Sequence, residues 1–177
     1  MEKLVVDNEL FYFDNGKLYD ESFIEYPKNV SNKILENYYS KIDYSAYDEA
    51  KLLKFIKELK MAEQYSMCIN AILYGLNNVA TTFSFYTSVF PMLTSCYRAI
   101  GTPQKAIDFW MKHKQNFSSC LSAPLLTSLA AAYCDVGNYV LAKKCADRAY
   151  LLQNGGKGYN TELSAVYGRI KKESDLD

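Results

Sequence analysis

A mainly α fold is expected: a short α-solenoid of about three antiparallel helix pairs, closed by a capping helix and preceded by a small N-terminal β-hairpin. Three observations predict it. Leu125 to Ala149 reads as two short helices joined at Gly137, with Ala130, Ala142, Ala146 and Ala149 small enough for a close crossing. The same pattern recurs at nearly constant spacing along the chain, as a stacked helical repeat requires. Residues 3–26 instead alternate apolar and polar, and Asn15-Gly16 is the residue pair that a tight hairpin turn prefers.

A chain of 177 residues that is 49% hydrophobic and 23% charged can bury one sizeable core and is too apolar to be a disordered chain. The net charge of zero conceals an asymmetry: residues 1–50 hold five Lys and eleven acids, net −6, and residues 51–177 hold fifteen Lys/Arg and nine acids, net +6. The acidic part is expected to dock on, or cover, the basic remainder. Five cysteines without a C-x-x-C pair, and His113 as the sole histidine, point to reduced thiols, a cytoplasmic setting, and neither a metal site nor a cofactor. The N-terminus meets acids too early for a signal peptide. The charge-free run Gln64 to Tyr97 is broken by Asn70, Asn77, Asn78, Thr81, Thr82 and Ser84, so no membrane span is expected.

Taken in order, residues 1–28 form a small acidic meander or hairpin, or else an extended arm, with Phe13 facing Leu18 and Tyr12 facing Tyr19 across Asn15-Gly16. Residues 29–49 hold a linking helix with Val30, Ile34, Leu35 and Tyr38 on one stripe and Ser31 as its cap. The repeat domain spans 50–177. Its first pair is Ala46 to Lys60, capped by Asp43 or Ser45 and burying Leu52, Phe55, Ile56 and Leu59, then Glu63 to Leu76, burying Tyr65, Cys68, Ile69 and Ile72. Pro91 predicts a break, with 80–88 a separate turn and Pro91 in the first turn of a helix ending at Ile100. Gly101 stops that helix, and Pro103 starts the next, which turns Ala106, Ile107, Trp110 and Met111 inward and ends near Asn116. Ala123–Val136 and Tyr139–Leu152 follow. After a loop at Asn154 to Gly158, Thr161 to Lys172 is the last helix, with Leu163, Val166, Tyr167 and Ile170 buried.

One offset of 36 residues sets Leu93, Tyr97, Gly101, Pro103, Ala106 and Trp110 on Leu129, Tyr133, Gly137, Tyr139, Ala142 and Ala146. A further 34 residues bring Leu163 and Tyr167 into the slots of Leu129 and Tyr133, and an offset near 38 carries the register back to Leu59, Tyr65, Cys68 and Ile72. Leu-x-x-Leu-Ala-x-x-Tyr followed by Gly-x-Tyr-x-x-Ala-x-x-x-Ala-x-x-Ala resembles the tetratricopeptide repeat. The resemblance covers 50–172, best in 125–150 and least in 50–76, where Glu63 stands for the turn glycine. It implies a superhelix whose first helices line a concave groove for a protein or peptide partner. Carried over by position, that groove is lined by Lys57, Lys60, Ser95, Arg98, Thr127, Ala131, Asp135, Ala165 and Arg169. The Lys/Asn/Arg set with which some relatives hold a terminal carboxylate is not present.

No enzyme is expected, because no reactive groups converge. His113 sits among lysines at a helix end, and Asn154-Gly-Gly-Lys157-Gly158 lacks the spacing of a phosphate loop. The reading is therefore a non-enzymatic scaffold or adaptor, with homo-oligomerisation left open. Two alternatives stand beside it. One is binding of single-stranded RNA through a stripe made of the lysines of 51–60, Arg98, Lys143, Lys144, Arg148, Arg169, Lys171 and Lys172. The other is a small inhibitor that occludes a partner enzyme with the acidic residues 1–50.

Overall fold

The structure, a computed structural model, describes residues 1–79, 81–153 and 161–174. The chain divides into two compact units, Met1–Thr81 and Thr82–Asp177. The predicted loop at Asn154 to Gly158 lies outside the described residues.

The first unit opens with a three-stranded antiparallel meander, β1 (Glu2–Val6), β2 (Glu9–Asp14) and β3 (Lys17–Tyr19), where the sequence predicts a small meander or hairpin. Both turns place two residues at positive φ, Asp7 and Asn8 in the first, Asn15 and Gly16 in the second. Asp and Asn tolerate that region because their short polar side chains bond locally. The predicted register holds, with Tyr12 opposite Tyr19 and Phe13 opposite Leu18. Leu4, Val6, Phe11, Phe13 and Leu18 fill the inner face. A helix packed on an apolar sheet face stabilises so small a sheet, and α1 (Lys28–Ser40) contacts β1 and β3. The cap of α1 is Pro27, not Ser31, whose hydroxyl is buried and donates to the Tyr26 carbonyl at 3.3 Å.

α2 (Glu49–Met61) and α3 (Tyr65–Asn78) form the first helix pair. Asp48, rather than Asp43 or Ser45, caps α2 by accepting from the Lys51 amide at 2.9 Å; Asp43 instead holds the Ser45 amide in the preceding turn. That turn carries Tyr44 and Tyr47 onto Phe55, and Tyr74 seals it by donating to the Ser45 carbonyl at 2.8 Å. Tyr44 and Tyr47 thus serve as apolar bodies, and Tyr74 as an apolar body with a bonded polar tip.

In the second unit, α4 (Phe83–Ala99) runs unbroken through Pro91, which overturns the predicted break. Proline within a helix costs about 3 kcal/mol. Burial of Phe85, Val89, Phe90, Leu93 and Cys96 on both sides of Pro91 offsets that cost. α5 (Pro103–His113) follows; it ends earlier than expected and leaves Met111 exposed. After a 3-10 turn at Ser118–Cys120 come α6 (Ala123–Asp135), α7 (Tyr139–Leu152) and α8 (Thr161–Ser174). α6 contacts α4, α5, α7 and α8, and every residue from Leu125 to Cys134 is buried. A helix without a charge over those ten positions is suited to burial all round.

The repeat is visible in the backbone of its three turns. Glu63, Gly101 and Gly137 all lie in the left-handed region, at φ +56°, +74° and +75°. Each is followed by the same bonded pair. Gln64, Thr102 and Asn138 donate to the carbonyls of Leu59, Tyr97 and Tyr133 at 2.9, 2.8 and 2.8 Å. Glu63, Gly101 and Gly137 donate to those of Lys60, Arg98 and Cys134. This is the six-to-one and five-to-two arrangement that ends a helix on a left-handed residue. Packing slots repeat likewise: Leu93, Leu129 and Leu163 are buried, as are Cys68, Ala106 and Ala142. No helix among the described residues is long and apolar enough to cross a membrane.

Candidate functional site

The residues assigned to a concave groove fall in different surroundings. Lys57 and Lys60 lie on α2 in the first unit, Lys57 exposed and Lys60 half-buried. The others belong to the second unit. Thr127 and Ala131, at 0% and 1% exposure, present no surface to a partner, which corrects the groove assignment for α6. Local spacing could not show this, because α6 is packed by four helices, α4, α5, α7 and α8, and not by one neighbour. Thr127 Oγ1 has no hydrogen-bond partner among the described residues. Ser95 is half-buried, its hydroxyl turned back onto the Met92 carbonyl at 2.9 Å, and Ala165 is exposed on α8.

Arg98, Asp135 and Arg169 do converge, but on one another. Arg98 Nε donates to Asp135 Oδ2 at 2.5 Å, Arg169 donates to Asp135 Oδ1 at 2.8 Å, and Arg98 also reaches Glu162 Oε1 at 3.4 Å. α4, α6 and α8 are thereby tied by a set of two cations and two anions. Its charges are already compensated. The proposed nucleic-acid stripe is depleted in the same way, since Lys54 pairs with Glu58 and Lys143 with Asp147.

A second surface of this unit has the opposite character. α5 and α7 both pack on α6, and between them opens a cleft of about 660 Å³. Leu126, Leu129 and Tyr133 of α6 form its floor, and Trp110, Leu121 and Met111 its walls. Its charged lining among the described residues is Lys114, Lys144 and Arg148, with no acid. Lys114 contacts the Met111 sulfur at 3.7 Å. Cys145 also lines the cleft and is half-buried, whereas the other four thiols are buried. Burial pushes the Cys145 thiol above its ordinary range, and the Arg148 guanidinium draws it partly back. The Tyr133 phenol is likewise raised by burial.

Lys144 and Arg148 stand four residues apart on α7, where like charges meet on one face and cost a few tenths of a kcal/mol. The neighbouring Lys143 and Asp147, with the same spacing, form an opposite-charge pair at 2.7 Å. The unbalanced pair is thus a legible signal in the sequence. Its assembly with Trp110 and Leu121 is not, since only the packing of α5 and α7 on α6 brings them together. Among the described residues no group of three or more His, Cys, Asp or Glu side chains could hold a metal ion. Comparison with family models, with curated proteins and with solved structures finds no match to the chain.

Proposed function

We propose that the chain is a non-enzymatic protein-interaction module, a scaffold or adaptor of the tetratricopeptide-like class whose helix pairs stack as a short solenoid. The observation that supports this reading is the turn repeated at Glu63, Gly101 and Gly137, with the same pair of backbone hydrogen bonds each time. Identical turns give successive helix pairs the same internal geometry, and stacking such pairs buries their otherwise exposed faces. The rigid product displays side chains rather than chemistry. The Arg98, Asp135 and Arg169 set then acts as a brace between first helices and not as the contact surface.

Capture from a lysate of the source cell, followed by titration of the purified captured protein against the full chain, tests the reading. One stoichiometric protein partner with a dissociation constant at or below about 10 μM is expected. If single-stranded RNA is bound more tightly than any protein, with affinity falling steeply as salt rises, the nucleic-acid reading replaces it.

A further inference from the structure

The cleft between α5 and α7 combines an apolar lining with positive charge that no acid among the described lining residues balances. Lys144 and Arg148 are both exposed, and α7 gains nothing from placing them one turn apart. A helix rises about 1.5 Å per residue, so their stems are about 6 Å apart along the axis. In an extended peptide, side chains on one face repeat at about 6.6 Å. Two acids separated by one residue therefore match the two cations of α7, while Lys114 on the opposite wall can meet a third. Met111 is 49% exposed at the mouth, and Leu121 is half-buried beside it, which gives an apolar anchor a surface to cover.

We propose that this cleft docks an acidic segment of a protein partner, extended and carrying one large apolar side chain between its acids. The proposal rests on the protein-binding reading above and assigns its contact surface to the side formed by the second helices. The lining argues against a nucleic acid. Bases stack on aromatic faces, and Trp110 and Tyr133 are only 9% and 8% exposed, which leaves no open ring face as a platform. The accessible apolar surface belongs instead to Met111 and Leu121.

Panning a displayed library of short random peptides on the full chain, then measuring labelled synthetic peptides by fluorescence anisotropy, tests the assignment. Recovered peptides are expected to hold acids at i and i+2 beside Leu, Phe or Trp. Lys144→Glu and Arg148→Glu are each expected to weaken binding about tenfold with unchanged circular dichroism, and Lys172→Glu on α8 to leave it unaltered. Bound peptide should also slow alkylation of Cys145. Peptides lacking acids, or affinities indifferent to both reversals with Cys145 alkylated at its free rate, would overturn the cleft while leaving the protein-binding reading in place. Oligouridine bound more tightly than any peptide and lost in Arg148→Glu would overturn the occupant. Binding of neither peptide nor partner protein defeats both proposals.

Discussion

Arg98 Nε lies 2.5 Å from Asp135 Oδ2, joining α4 to α6, while Arg169 occupies the other oxygen of the same carboxylate from α8. The Arg98 and Asp135 side chains are 22% and 25% exposed, so water screens this contact less than it does a fully exposed pair. Asp135→Ala leaves two guanidinium groups facing each other without an anion between them. A loss of about 1–2 kcal/mol in the urea unfolding free energy is expected. Asp135→Asn, which keeps one acceptor oxygen, should lose less. Equal losses in the two variants would show that the charge, and not the acceptor oxygen, carries the contact.

Glu63 occupies the slot of a turn glycine at φ +56° and pairs at 2.7 Å with Lys28, a contact whose partners are 72% and 40% exposed on the Lys and Glu sides. A side chain in the left-handed region costs about 1 kcal/mol, more than so exposed a pair returns. Glu63→Gly is therefore expected to raise the thermal midpoint, as scanning calorimetry would detect. A lowered midpoint would mean that the Lys28 pair outweighs the backbone.

Gly16 and Gly101 have similar φ, +83° and +74°, in different surroundings. A Cβ on Gly16 would meet the Met61 carbonyl oxygen at 2.7 Å, whereas one on Gly101 meets nothing within 4 Å. Gly101→Ala should cost about 1 kcal/mol through backbone strain alone. Gly16→Ala should cost about 2 kcal/mol or more, because the sheet turn must also retreat from the end of α2. Equal chemical-denaturation losses would refute the close approach.

Asp147 accepts from Lys143 at 2.7 Å and from the Tyr167 hydroxyl at 2.9 Å, and Lys143 above all holds its carboxyl below the ordinary range. A carboxyl whose folded pKa lies below its unfolded value of about 3.9 stabilises the fold above that pH and ceases to do so as pH falls through the folded value. Its side chain is 48% exposed, so the expected contribution is only a few tenths of a kcal/mol. Asp147→Asn should be less stable than the parent at neutral pH, and the two urea midpoints should converge as the pH falls through the lowered folded value. A gap that widens on acidification would reverse the assignment.

Features carried by neighbours in sequence were legible without coordinates. The Asn15-Gly16 register, the α7 limits and the Gly101 and Gly137 turns follow from backbone freedom and helical period, which act over a few residues. Pro91 misled for the converse reason. Its local cost is real, but the burial of Phe85, Phe90 and Leu93 that offsets it is a tertiary quantity. Repeat position alone also put Thr127 and Ala131 on an open surface, and four neighbouring helices bury them.

The sequence by itself determined the helix pairs, their turns and the slots for small and large side chains, because each depends on periodicity and on which residues accept positive φ. Only the tertiary structure decided which charges are spent and which remain available. Arg98 and Arg169 are compensated by a carboxylate on a third helix, while Lys144 and Arg148 face a cleft with no acid among its described lining residues. Coulombic balance depends on distances between chain segments, and these exist only once α4, α5, α7 and α8 have packed around α6.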